Sequence, residues 1–373
     1  MASVLKASAS RPLRLSHGEN NFDLLRLLAA LAVMFGHSFY IQPFHGRVEP
    51  ILKHTGLEYS GSLAVYTFFF ISGLLVSSSF DRQASLGRFV TLRLARIYPG
   101  LLFCVCVTSF ALYPLVSNLG FWSTLTSEAA RQYFLANVLL FNGIQWTLPK
   151  LFDAAALKNV VNGSLWTLPL ELKCYLLVVI AGLLGCFRSK SRIVAFSIVV
   201  GIAFAYVAVN GSSFEFLRNI VQKPTGYSFY ALPFFLLGMF AYAFIDRIKV
   251  NWIVGLVLLA VYALVRTSAI AAPFFYVAFI YVLLLFAVSP ALRQLNPTQD
   301  YSYGVYLWAF PMQQVVATHF PTMDNLLGLC ISVPMTVVAA MISWHLVEKP
   351  AIAVGRGIAS MFGSGRGNAG TAP

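Results

Sequence analysis

Apolar residues along this chain come in blocks, and the blocks are long. Each holds close to the ~20 residues that a helix needs to cross the hydrocarbon of a bilayer. In lipid a segment must satisfy its own backbone hydrogen bonds, so the helix is the default spanning element. About ten spans are predicted on this pattern, over 22–41, 62–80, 97–117, 166–187, 192–209, 228–246, 250–267, 272–289, 301–319 and 325–347. The expected fold is all-α, a polytopic transmembrane bundle over 22–350. It follows a polar N-terminal segment, 1–21, and precedes a tail, 351–373, whose Gly, Ser and Ala content predicts disorder. The polar stretch 120–165 is the longest interruption and is expected to hold short helices such as 131–141.

Composition agrees with this pattern. Of 373 residues, 58% are hydrophobic and 10% charged, against roughly 25% charged in soluble domains, and mean hydropathy is +0.75. No room is left for a soluble domain. Lys and Arg number 26 against 13 Asp and Glu, a net +13, but their positions matter more than their sum, because cytoplasmic loops retain them. They crowd into 1–21, 81–100, 188–192, 247–249 and the stretch beyond 348. Both termini are therefore expected in the cytoplasm and 120–165 outside. The basic balance reflects topology and contact with anionic lipid, and no nucleic-acid recognition motif is present. No short apolar region with a cleavage site follows the first 17 residues, so 22–41 reads as an uncleaved anchor. All five cysteines, Cys104, Cys106, Cys174, Cys186 and Cys330, sit in apolar segments, where packing is expected rather than disulfides or metal ligation.

Three sets of polar residues stand out against this background. Arg26 and His37 are close to three helical turns apart, so both project from one face of the first span, about 16 Å from each other along its axis. Ionisable groups in a span usually face the bundle interior or a wet cavity. The competing readings are that Arg26 snorkels to the headgroups and that His37 is a core histidine hydrogen-bonded across helices. In NGSLWTLPLELKCYLL, residues 162–177, Trp166 and Pro169 mark entry into the fourth span, and Glu171 falls in its first turn at the depth expected for His37. There it either orients an imidazole acting as general base or stabilises the helix N-terminus. A partial repeat, NGIQWTLPK at 142–150, lacks the carboxylate two residues after its proline and reads as an outer hairpin or half-helix with tryptophan at the interface. In DRQASLGRFVTLRLARIYPG, residues 81–100, Arg93 and Arg96 stand i, i+3 on one face. They either grip phosphate as bidentate donors or serve topology and lipid headgroups. Arg26 is expected at the same cytoplasmic depth, so the three arginines are candidates for one anion site.

Several segments then resemble a known family in order. They are the Arg26-X10-His37 arrangement with Asp23 before it, FFFISGLL at 68–75, RLARIYP at 93–99, SLWTLPLE at 164–171, SYGVYLW at 302–308 and HLVEKP at 345–350. Each is weak alone; six in this order and topology resemble the acyltransferase-3 family. The resemblance implies a polytopic enzyme of the bacterial inner (plasma) membrane. Such an enzyme takes an acyl group, usually acetyl from acetyl-CoA, on the cytoplasmic side and places it on a hydroxyl of an extracytoplasmic glycan such as exopolysaccharide or O-antigen. Carried over by position, Arg26 and His37 match the family's first-span pair, Arg93 and Arg96 its inner-loop arginines, and Glu171 the acidic position after SLW. Ala309 departs, standing where many members have a histidine, so no catalytic role attaches to that span. Some members carry a fused SGNH-type esterase domain after the membrane part. The tail here holds no GDS-type nucleophile motif, so delivery is expected from the membrane unit alone or with a separate periplasmic partner.

The mechanism expected on these grounds places the phosphates of acyl-CoA on Arg93, Arg96 and Arg26. The thioester would reach His37, which takes the proton from a sugar hydroxyl while Glu171 orients the imidazole. Direct transfer and an acyl-histidine intermediate both remain open. The rival class is a proton-coupled transporter, which intramembrane Arg, His and Glu also describe, although no inverted repeat is evident. A non-catalytic membrane subunit is the third reading. The acceptor would be chosen by the outer surface, mainly 42–61, 120–165 and 210–227.

Overall fold

The computed structural model describes residues 11–16, 18–82, 85–140, 143–210 and 231–362. Residues 1–10 of the N-terminal segment, nearly all of the 210–227 loop, the start of the 228–246 span, Asn142 of the partial repeat and 363–373 of the tail lie outside the described residues. The longer helices are α1 (Phe22–Ile41), α2 (Ser60–Asp81), α3 (Leu86–Val107), α4 (Glu128–Leu139), α5 (Thr167–Leu183), α6 (Lys190–Asn210), α7 (Ala231–Ala243), α8 (Trp252–Val265), α9 (Ala271–Val288), α10 (Ser302–His319), α11 (Asn325–Ser343) and α12 (Lys349–Met361). Two-residue strands, β1 (Arg11–Pro12) and β2 (Lys249–Val250), pair antiparallel with Arg11 opposite Val250. Among the described residues, seven helical stretches are long and apolar enough to cross a membrane, and α7 and α8 are shorter apolar helices. The protein is an all-α polytopic membrane bundle.

Two elements differ from the sequence expectation. The third span, predicted from 97, is helical from Leu86, because Ser85 caps it by accepting the Arg88 N–H at 3.2 Å. Arg93 and Arg96 thus stand on a helix rather than a loop. The stretch from 351, predicted to be disordered, is helical through Met361. Pro350 does not end the helix, because the chain widens into a π turn over Trp344–Glu348 immediately before it, with Lys349 N–H bonded to Trp344 O. A π turn relieves the clash and the missing donor that proline brings to a regular helix. Beyond it, α12 packs on α3: a Cβ on Gly355 would lie 2.4 Å from that of Ala95.

The chain divides into two compact units, one of Met1–Ala29, Glu49–Ser77 and Gly185–Asp300, the other of Ala30–Val48, Ser78–Leu184 and Tyr301–Pro373. In the first unit α2 and α7 cross backbone to backbone. A Cβ added at Gly73 would lie 2.1 Å from Phe235 O, and one added at Gly238 would lie 2.2 Å from Phe70 O. Small residues at such a crossing replace the hydrophobic drive that lipid removes with close packing. Next to it Tyr66 stacks on Phe234 at 4.1 Å, and the buried Glu58 accepts from Tyr66 Oη at 3.0 Å and Tyr276 Oη at 2.5 Å. The start of α1 is tied to the end of α9, with Asn21 Nδ2 donating to Phe286 O at 2.8 Å and Ser289 O at 2.7 Å.

In the second unit α10 is the central post, buried along nearly its whole length. Gln314 Nε2 donates to Leu157 O and Val160 O at 2.8 and 2.6 Å, holding the loop 143–161. That loop closes as a hairpin through Val161 N to Trp146 O at 2.8 Å and Leu148 N to Asn159 O at 3.0 Å. Trp146 is exposed while Leu148, Leu151 and Phe152 are buried. The partial repeat is therefore a hairpin.

Candidate active site

His37 sits one turn before the end of α1, in the second unit. Its ring stands edge-on to Phe310 of α10, with centroids 5.3 Å apart at 76°. Nδ1 is buried and accepts or donates no hydrogen bond among the described residues. The arrangement is therefore not that of a core histidine hydrogen-bonded across helices, since a buried ring nitrogen is ordinarily paired.

Phe310 has a second neighbour. A Cβ at Gly163 would lie 2.6 Å from Phe310 Cε2, so the NGSLW segment lies directly against this ring and only glycine admits it. The rest of the segment is bonded to the same helix. Asn162 Nδ2 donates to Leu307 O at 2.8 Å, Tyr306 Oη donates to Ser164 O at 2.8 Å, and Thr167 Oγ1 is 2.7 Å from Tyr306 Oη. Through Phe310, α10 joins the SLWTLPLE motif to His37. Ala309, where the resemblance would allow a histidine, is wholly buried.

Glu171 departs from its expected placement. The 3-10 turn Gly163–Trp166 leads into α5 at Thr167, so Glu171 lies past the first helical turn, where the dipole's effect has fallen off. Its Oε1 accepts from Tyr175 Oη, one turn on, at 2.5 Å. Among the described residues His37 makes no hydrogen bond to it. The partner to that oxygen is four residues along the same helix.

Arg93 and Arg96 lie on α3 against aromatic rings, which attract guanidinium groups through their π faces. Arg93 Cζ is 6.0 Å from the Phe89 centroid, and its Nε is buried without a hydrogen-bond partner among the described residues. Arg96 Cζ is 5.6 Å from Tyr303 and 5.7 Å from Trp344. Arg96 also faces a residue that sequence reasoning missed. Its Nη1 lies 3.7 Å from Oε2 of Glu348, whose side chain is 1% exposed and accepts from Ser343 Oγ at 2.8 Å. Gly100 leaves the space for it, since a Cβ there would be 3.1 Å from Glu348 Cδ. The signal was the carboxylate of HLVEKP at the end of an apolar run, because a buried charge calls for a counter-charge.

Arg26 belongs to the first unit, whereas His37, Glu171, Arg93 and Arg96 belong to the second. Its Nη2 lies 2.7 Å from Asp23 Oδ1 and 2.7 Å from Asp300 Oδ2. Two carboxylates hold it, so it does not snorkel as a lone cation. Asp23 was visible in the sequence at i−3; Asp300 was not.

Residues 19–345 match the Acyl_transf_3 family, described as an acyltransferase domain. The chain belongs to the acyltransferase-3 family. It is an acyltransferase, and Arg26, His37, Arg93, Arg96, Glu171 and Phe310 fall inside the matched range, with Glu348 three residues past its end. An O-acetyl transferase of Shigella phage Sf6 is 30% identical over 350 residues, which cover 89% of this chain and 96% of that protein. Nodulation protein 10 of Rhizobium leguminosarum bv. viciae is 28% identical over 363 residues, covering 89% of this chain and 93% of that protein. No solved structure matches the chain.

Proposed function

We propose that this acyltransferase moves an acetyl group from acetyl-CoA, bound on the cytoplasmic side of the bacterial inner membrane, to a hydroxyl of an extracytoplasmic carbohydrate such as exopolysaccharide or O-antigen. The topology that goes with this has about ten spans with both termini in the cytoplasm. The observation that carries the reading is the pairing of His37 with the SLWTLPLE motif through Phe310. A partly buried imidazole with an unpartnered nitrogen is suited to take a proton from a hydroxyl. The Sf6 relative's name supports O-acetyl transfer as the reaction.

In this proposal Arg93 and Arg96 take the donor's phosphates. A ring face holds Arg93, whose Nε makes no hydrogen bond among the described residues, as anion recognition requires, while Arg96 is set between two rings with Glu348 as its counter-charge. Arg26, the third cation proposed for the donor, already shares its charge between Asp23 and Asp300, and a phosphate would have to displace one of them. Glu171, held by Tyr175, acts through its field on the imidazolium rather than as its hydrogen-bond partner. A separate periplasmic acyl-handling protein is a compatible partner.

The test is release of free CoA thiol from acetyl-CoA by the purified protein with unacetylated surface polysaccharide. His37→Ala should lower turnover by about 10²–10⁴-fold while acetyl-CoA still binds. Full activity in that variant refutes the assignment. A transporter releases no CoA at all.

A further inference from the structure

Beside His37 the second unit holds a small, partly open cleft lined by Ser38, Gln42, Gln313, Asn325 and Ser332, with room inside for a group about the size of one water. Among the described residues no charged side chain lines it. Its amide nitrogens are all engaged as donors. Gln313 Nε2 donates to Met34 O at 2.8 Å, Gln42 Nε2 to Phe320 O at 2.7 Å, and Asn325 Nδ2 to Ser38 Oγ at 3.1 Å. A carbonyl can only accept, so the bond to Met34 O fixes which end of the Gln313 amide is oxygen. Among the described residues that Oε1 is buried without a partner, in a residue 4% exposed, and the Ser332 hydroxyl is likewise buried without one.

Asn325 Oδ1 already accepts from Arg47 Nη1 at 3.2 Å, so the cleft offers one open carbonyl acceptor, Gln313 Oε1, and one hydroxyl, Ser332, with no charged residue in its lining among the described residues. A carboxylate or phosphate would find oxygens facing it, and an ammonium would find no counter-charge. A neutral hydroxyl fits, since it donates to Gln313 Oε1 and accepts from Ser332. The cleft adjoins the proposed base on two elements: Met34 and Ser38 flank His37 on α1, and Gln313 lies one turn beyond Phe310, the ring that touches His37.

We propose that Gln313 and Ser332 form the acceptor subsite, binding a hydroxyl of the carbohydrate next to the one that is acylated and so selecting the position of transfer. This rests on the acyl-transfer reading above. The probe is surface polysaccharide extracted from cells lacking the gene and stripped of O-acetyl groups with mild alkali. It is titrated against full-length protein in detergent at saturating acetyl-CoA. Ser332→Ala, which removes one hydroxyl and adds nothing, should raise KM for the polysaccharide about tenfold without raising KM for acetyl-CoA. Gln313→Met should do the same more strongly, and if its loss of the Met34 bond prevents folding, the serine variant still decides. An unchanged polysaccharide KM in Ser332→Ala would show a bound water only and overturn the subsite. An equal rise in KM for acetyl-CoA would overturn it too, by placing the residue on the donor path. If the wild-type protein cleaves no acetyl-CoA, the acyl-transfer reading itself fails; if it transfers normally and only the variants are silent, the subsite alone fails.

Discussion

Gly163→Ala is the sharpest test of how the SLW motif serves His37. The added Cβ would meet Phe310 Cε2 at 2.6 Å and Cζ at 3.0 Å, whereas ordinary contact begins at 3.4 Å. The ring must therefore retreat by the difference between 3.4 and 2.6 Å, about 0.8 Å. It cannot swing into open space, because Phe310 is 4% exposed on a helix whose neighbouring Ala309 is 0% exposed. Overpacking of this kind costs about 1–3 kcal/mol, which a bundle of this size should survive. The larger consequence is catalytic, since the displaced ring is the one that stands edge-on to His37. A misplacement near 1 Å can lower a rate by about 10²-fold. Steady-state CoA release should thus show kcat down by about two orders of magnitude, with KM for acetyl-CoA unchanged because Arg93 and Arg96 are untouched. The double variant Gly163→Ala with Phe310→Leu should be no worse than Phe310→Leu alone, since the clash is then gone and the two effects cannot add. Wild-type kcat in Gly163→Ala would refute the linkage, and so would simple additivity in the double variant.

Two further outcomes follow from the geometry. Gly238→Val places a side chain 2.2 Å from Phe70 O and 2.8 Å from Leu74 N, backbone atoms that cannot yield. It should destabilise by about 3 kcal/mol or more and abolish monodisperse protein in detergent, whereas Gly201→Ala, with nothing nearer than 3.9 Å, should not; equal yields would refute the close crossing. Asp324 caps α11 by accepting the Leu326 N–H at 2.7 Å and pairs with Arg47 at 2.9 Å. Those contacts, the backbone bond first, hold its carboxyl below the ordinary 3.8. A lowered folded value means this stabilisation is present above pH 3.8 and is lost as the pH falls below it. The thermal midpoint of Asp324→Asn should therefore lie below wild type near neutral pH and converge with it under acid; parallel pH profiles would contradict the sign.

The bundle was legible because lipid leaves a helix no alternative, so long apolar blocks translate directly into elements. Boundaries failed where local chemistry outweighed the block pattern. Ser85 caps a helix that begins among arginines, and a π turn carries the chain past Pro350. At the site, what the sequence showed was residue type and spacing along one helix. What it hid were contacts between distant segments: Phe310 against Gly163 and His37, Asp300 on Arg26, and Glu348 facing Arg96. Glu171 shows the converse. Reasoning by depth aimed it at His37 and did not show that Tyr175, four residues along, donates to it.

The π turn before Pro350 also has a consequence for helical phase. Ser343 and Glu348 are five residues apart, and in a regular helix they would point about 140° from each other; the wide turn instead brings Ser343 Oγ onto the Glu348 carboxylate. Deleting the exposed Leu346 would shorten the interval to four residues and leave the glutamate within about 40° of the same direction. A one-residue deletion inside α11 would turn Glu348, and the α12 face beyond it, by about 100°. The Trp344–Glu348 turn is thus where the 37-residue rod Asn325–Met361 can change length by one residue without re-aiming the counter-charge of Arg96.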